Sequence, residues 1–165
     1  MGGNGLPPST MWDGTPPGSA LVQVTGNAFT LDYFPSEFPH EHQLSIWAPP
    51  VIAPKVGYVA GYANVFNGYK EGWTVESHVD GRGWTPMAPT LGWDPAYAQA
   101  WLDQDRGPQP APRTRLPDPV ICNHLWRTYL PADLPVGRHT LEVRATDPMG
   151  QTYTQACRFD IAPRP

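Results

Sequence analysis

The run Thr140-Leu141-Glu142-Val143-Arg144-Ala145-Thr146-Asp147-Pro148-Met149-Gly150 decides the fold. Leu141, Val143 and Ala145 alternate with Thr140, Glu142, Arg144 and Thr146, which is the period of a strand with one buried face. Asp147-Pro148-Met149-Gly150 then puts Pro second and Gly last, where a type I turn wants them. Tyr153–Ile161 returns as the partner strand, and within it Cys157 shares inward parity with Phe159 and Ile161.

Upstream the same grammar repeats. His124–Leu130 reads as a strand in which Trp126 and Leu130 share a face, followed by a turn over Pro131–Val136. Trp73–Val79 alternates, with Trp73, Val75 and Val79 inward and Thr74, Glu76 and His78 on the wet face. It turns at Asp80-Gly81-Arg82-Gly83 into Trp84–Met87. Val56–Phe66 carries Val59, Ala63 and Val65 on one face and Tyr58, Tyr62 and Phe66 on the other, as a central strand would. Gln43–Trp47 is a short strand ended by Pro49-Pro50. Ala20–Val24 and Ala28–Tyr33 flank Gly26-Asn27 as a tight hairpin with one wet face. Asp94 as N-cap, Pro95 at the first helical position and Tyr97, Ala100 and Trp101 as an apolar stripe predict a helix over 95–104, set across a sheet edge or sandwich end. Residues 105–119 read as a long loop.

About seven short strands with these turn signals predict an all-β fold, an immunoglobulin-like β-sandwich with an N-terminal β-hairpin and one short helix. The expected organisation is coil over 1–18, hairpin and linker over 19–42, and the sandwich over 43–165. The hairpin is expected either to belong to this domain or to end a preceding one.

Composition narrows the function. Seven Trp, seven Tyr and five Phe in 165 residues support a packed core. A net charge of −4 with 16% charged residues leaves no basic footprint for nucleic acid. No apolar run approaches the roughly 18 residues of a spanning helix. Sixteen Gly and 22 Pro fall mainly between the apolar runs, as stiff connections between strands. Met1-Gly2-Gly3-Asn4-Gly5 has neither the charged nor the apolar region of a signal peptide and reads as a cut inside a longer protein or an engineered start. Cys122 and Cys157 fit neither a zinc site nor a redox pair. They read as two separate buried thiols, with a disulfide as the alternative.

Chemistry-bearing clusters are sparse. A dinuclear hydrolytic centre needs several His, Asp and Asn ligands from strand ends. Asn123-His124 is preceded by Cys122 and followed by Leu125, and His139 lacks a second His beside it. His40-Glu41-His42 would direct two imidazoles the same way in an extended chain, yet a pair without further ligands reads as surface histidines. No Ser sits in a G-x-S-x-G setting, and the Gly-containing segments are hairpin turns rather than phosphate loops. No catalytic, cofactor or metal residue is therefore expected. The candidate surface contacts are Trp84 and Trp93, as stacking platforms for a sugar or partner, with His78 and Asp80 beside them.

Several runs together resemble one family. Asp13-Gly14-Thr15-Pro16 and Leu31-Asp32-Tyr33 resemble the end of a calcineurin-like phosphoesterase catalytic domain. Ala63-Asn64-Val65-Phe66-Asn67, Val79-Asp80-Gly81, Trp84-Thr85-Pro86-Met87, Asp94-Pro95, His124-Leu125-Trp126-Arg127 and the run from Leu134 to His139 resemble that family's C-terminal domain, as does Ala145–Gly150. The resemblance spans about residues 10–162, with Pro17 where the family's turn has Asn. It implies a non-catalytic accessory domain that packs on the catalytic phosphoesterase domain of the same polypeptide and shapes substrate access or partner contacts. The parent enzyme would be a metal-dependent hydrolase with a dinuclear metal centre in the preceding domain, often exported or periplasmic in bacteria. The family's D-x-H, G-D-x-x-D, G-N-H-[DE] and G-H-x-H ligand motifs have no counterpart here. A carbohydrate- or envelope-binding module is the alternative reading.

Overall fold

Gly26-Asn27 makes the expected turn between β1 (Gly18–Thr25) and β2 (Ala28–Pro35), which pair antiparallel from Gly18↔Pro35 to Thr25↔Ala28. Gly26 takes the left-handed φ of 62° that suits the first position of a two-residue loop, where a Cβ would be penalised. The computed structural model describes residues 10–69, 71–104, 106 and 115–163, so most of the predicted loop over 105–119 lies outside the described residues. These fall into two units, one within Met1–Gln43 and Gly92–Cys122, the other within Leu44–Leu91 and Asn123–Pro165.

The second unit is a β-sandwich. Its elements are β3 (Leu44–Trp47), β4 (Val51–Ile52), β5 (Ala60–Val65), β6 (Thr74–Val79), β7 (Thr85–Pro86) and β8 (Ala88–Gly92). After the helix α1 (Pro95–Asp103) of the first unit come β9 (Cys122–Tyr129), β10 (Gly137–Thr146) and β11 (Thr152–Ile161). One sheet runs β4-β11-β10-β6-β7 and the other β3-β5-β9-β8. Leu44, Ala63, Val65, Trp126 and Leu130 from one side meet Val75, Val79, Leu141, Val143, Ala145, Phe159 and Ile161 from the other in a single apolar core. Burying such side chains is what holds two sheets together, at roughly 1.5–3 kcal/mol per large aliphatic.

The expected strands form, with local differences that have physical causes. The predicted strand Val56–Phe66 starts only at Ala60, because Lys55 and Tyr58 turn the chain at φ of 63° and 60°. β5 is an inner strand, as two-sided apolarity required. Pro49-Pro50, lacking amide donors, ends the β3 ladder, and the chain crosses to the other sheet, where β4 runs parallel to β11. This short strand and β8 carry no alternation and raise the count from seven to nine. At the decisive turn, Gly150 N–H donates to Asp147 O at 3.0 Å, and the Asp147 carboxylate accepts from the amides of Met149 and Gln151. Gly150 closes it at φ 86°.

In the first unit Asp94 caps α1 by accepting from Tyr97 N–H at 2.8 Å, and Pro95 opens the helix as expected. Tyr97 and Ala100 are buried. The Tyr97 hydroxyl donates to Pro117 O at 3.0 Å, and Leu116 N–H donates to the Gln104 side chain at 2.8 Å. Cys122 and Cys157 are not joined by a disulfide, and burial pushes the Cys157 pKa up to about 11.

Candidate functional site

On the outer face of the five-stranded sheet, β6 and β10 set Glu142 opposite His78 and Arg144 opposite Glu76. For Arg144 and Glu76, opposite charges directly across the ladder attract. Arg144 Nε donates to Glu76 Oε2 at 2.8 Å, and His78 Nε2 lies 3.7 Å from Glu142 Oε1. Trp84 covers this ladder. The Arg144 guanidinium lies 4.4 Å from its ring centroid, and the His78 ring meets it edge-on at 4.2 Å. Gly81 N–H donates to His78 Nδ1 at 3.0 Å, which puts the ring hydrogen on Nε2. His78, predicted on the wet face, has that parity but only 14% side-chain exposure, because the indole lies over it.

Asp80 is placed differently. It takes φ 53° where the chain leaves β6, and its carboxylate reaches back to β10. Thr140 N–H donates to Oδ1 at 2.9 Å and His139 Nδ1 to Oδ2 at 2.6 Å. His139 Nε2 meets Pro135 O at 2.8 Å. Both ring nitrogens face acceptors, so the geometry calls for an imidazolium that donates from each. The Asp80 hydrogen bond lifts the His139 pKa above its ordinary value of 6.5, with burial opposing and the Pro135 carbonyl and the Asp80 charge adding. For Asp80, burial works upward, but the hydrogen bonds from His139 and Thr140 and the nearby His139 and Arg82 charges outweigh it and hold the carboxyl below 3.8. The sequence carried a signal for this clamp, since His139 shares the inward parity of Leu141, Val143 and Ala145.

Trp93 belongs to the first unit, half exposed and tilted against Trp101 at 6.4 Å. The structure therefore joins His78 and Trp84, ties Asp80 into a separate clamp, and puts Trp93 with the helix. The paired histidines do not converge either. Residues 40 and 41 are in a turn rather than extended. His40 Nε2 contacts Asp32 Oδ1 at 2.7 Å and its ring stacks on Phe34, whereas His42 stacks on Phe38, and burial lowers its pKa. Among the described residues no three His, Cys, Asp or Glu come together as a metal cluster. Among them, too, no helix is long and apolar enough to cross a membrane.

Two of the sequence runs singled out above meet in the first unit. The Asp13 carboxylate accepts from Thr15 N–H at 3.0 Å, and Gly14 takes φ 84° against Asp94. A Cβ on Gly14 would stand 2.3 Å from the Asp94 Cγ, so glycine is needed there. The Tyr33 hydroxyl donates to Pro16 O, and the Gln43 amide donates to the carbonyls of Tyr33 and His40. The base of the hairpin is thus fastened. Its far end is not covered: Ala20, Val22, Val24, Phe29, Leu31 and Tyr33 share one face by register, yet Val22, Val24 and Phe29 are 52%, 71% and 68% exposed. Alternation identified this face in the sequence but said nothing of what covers it.

No curated protein matches the chain. A family model does, the C terminal of calcineurin-like phosphoesterase, over residues 1–153. That span takes in the fastened hairpin, the Asp80 clamp and the sandwich up to the start of β11, and it makes this chain a member of the family of calcineurin-like phosphoesterase C-terminal domains.

Proposed function

We propose that this domain is a non-catalytic accessory module that packs on the catalytic domain of its own polypeptide through the apolar face of the β1–β2 hairpin. The observation that carries this reading is the exposure of Val22, Val24 and Phe29 on a ribbon whose other face is mixed, with Ser19, Gln23, Thr25, Thr30 and Asp32 beside Leu21 and Phe34. A lone two-stranded ribbon is marginal in water, and an apolar face of this kind gains most by meeting another apolar surface. Membership of a family defined as the C-terminal part of a phosphoesterase supplies the partner. Docked there, the module would shape substrate access or partner contacts, and the metal-dependent hydrolysis would belong to the catalytic domain with its dinuclear centre.

The test compares the full-length polypeptide with Val24→Lys/Phe29→Lys and with Gln23→Lys/Thr30→Lys, measuring thermal midpoint and hydrolysis of a generic phosphodiester and monoester. The apolar-face pair is expected to lower the midpoint and alter KM, and the opposite-face pair to leave both unchanged. Unchanged values for the apolar-face pair on every substrate would sink the reading.

A further inference from the structure

A groove of about 500 Å3 opens on the second unit, lined by Tyr69 and Glu71 of the β5–β6 connection, Pro89, Thr90 and Leu91 of β8, and Asn123 of β9. That volume lies within the roughly 300–1,000 Å3 of small-ligand sites. Its wall is fixed from the core outward. Trp126, a core residue, donates from Nε1 to Gly68 O at 3.1 Å, and Gly68 N–H donates to Val65 O at 2.8 Å. A Cβ on Gly68 would stand 2.3 Å from Val65 Cγ1, so the chain can pass there only as glycine. Tyr69 follows directly, 54% exposed, with its ring edge-on to His124 at 6.3 Å.

The lining combines an aromatic ring, two apolar side chains, a hydroxyl, an amide and a carboxylate. A sugar offers the complementary set: a C–H face for the ring and a rim of hydroxyls that both donate and accept. The Glu71 carboxylate opposes an anionic ligand, and the polar half of the wall opposes a purely apolar one. We propose that this groove binds a neutral oligosaccharide, with Tyr69 stacked on one ring and Glu71, Thr90 and Asn123 hydrogen-bonded to its hydroxyls. This site is separate from the hairpin face, and either proposal stands or falls without the other.

The test is amide-shift mapping of the 165-residue chain with cellohexaose, maltohexaose, xylohexaose and chitohexaose at millimolar concentration, with a soluble oligoalanine peptide as the competing class. At least one sugar is expected to shift the amides of Tyr69, Thr90 and Asn123. Tyr69→Phe should retain that binding, because it keeps the ring. Tyr69→Ala should weaken it at least about tenfold, or about 1.4 kcal/mol. Trp84→Ala should leave it unchanged. The proposal is overturned if none of the four sugars shifts these amides, if the binding is indifferent to Tyr69→Ala, or if the peptide alone occupies the groove.

Discussion

The antiparallel hairpins β1–β2 and β10–β11 are built by the same rules, and their surroundings are opposite. Each has an apolar face and a wet face, and each has a turn with a left-handed glycine, Gly26 in one and Gly150 in the other. In β10 the inward residues Leu141, Val143 and Ala145 are fully buried against the opposing sheet. In β1–β2 the equivalent face leaves Val24 and Phe29 largely in solvent. Alternation therefore reports that a face is apolar, whereas burial depends on what else is present to cover it.

Substitution should separate the two hairpins. Leu141→Ala is expected to destabilise the second unit by about 2–5 kcal/mol, through lost burial and the cavity left behind. Val24→Ala in the same chain should stay within about 0.5 kcal/mol, as an exposed site does. Urea unfolding of both variants checks the contrast, and equal losses would break it.

The next effect concerns the clamp at the start of β10. His139→Gln is expected to cost about 1–3 kcal/mol, since it leaves buried or charged hydrogen-bonding groups without a full partner. The pH dependence has a definite sign. Because the folded pKa of His139 is raised, its contribution is full below about 6.5 and disappears as the pH rises through the folded value. Because that of Asp80 is lowered, its contribution is present above about 3.8 and is lost as the pH falls through the folded value. The pair supports the fold most strongly between about pH 4 and 6.5. Thermal midpoints measured from about pH 6.5 upward should decline as the pH rises through the folded value of His139, and His139→Gln should flatten that decline.

The smallest effect is at the covered ladder. Trp84→Ala should cost about 0.5–1 kcal/mol for the lost guanidinium contact. It should also expose His78, read out as faster reaction of that ring with diethyl pyrocarbonate. An unchanged modification rate would show that Trp84 does not cover it.

Much of this was legible in the sequence, because strand parity and turn chemistry are local. The decisive hairpin, the cap at Asp94 and the inner position of β5 all follow from side chains acting within a few residues. Tyr58 defeated the pattern, since nothing local marks an aromatic residue for φ 60°. Among the candidate contacts, His78 was placed on the right face but not beneath Trp84, because cover from a following turn has no period. Asp80 was visible as a turn residue, while its bond to His139 joins positions far apart in the chain. Tyr69, Glu71 and Asn123 gave no signal for a shared site, coming from a connection and a strand that only the fold brings together.

The central claim is that the hairpin's apolar face docks on the catalytic domain of the same polypeptide. Amide hydrogen exchange over residues 20–33, in the 165-residue chain and in the full-length polypeptide, tests it most directly. Strong additional protection of the β1 and β2 amides in the full-length protein, lost in Val24→Lys/Phe29→Lys, is the predicted result. Equal exchange of these amides in the two proteins would contradict it.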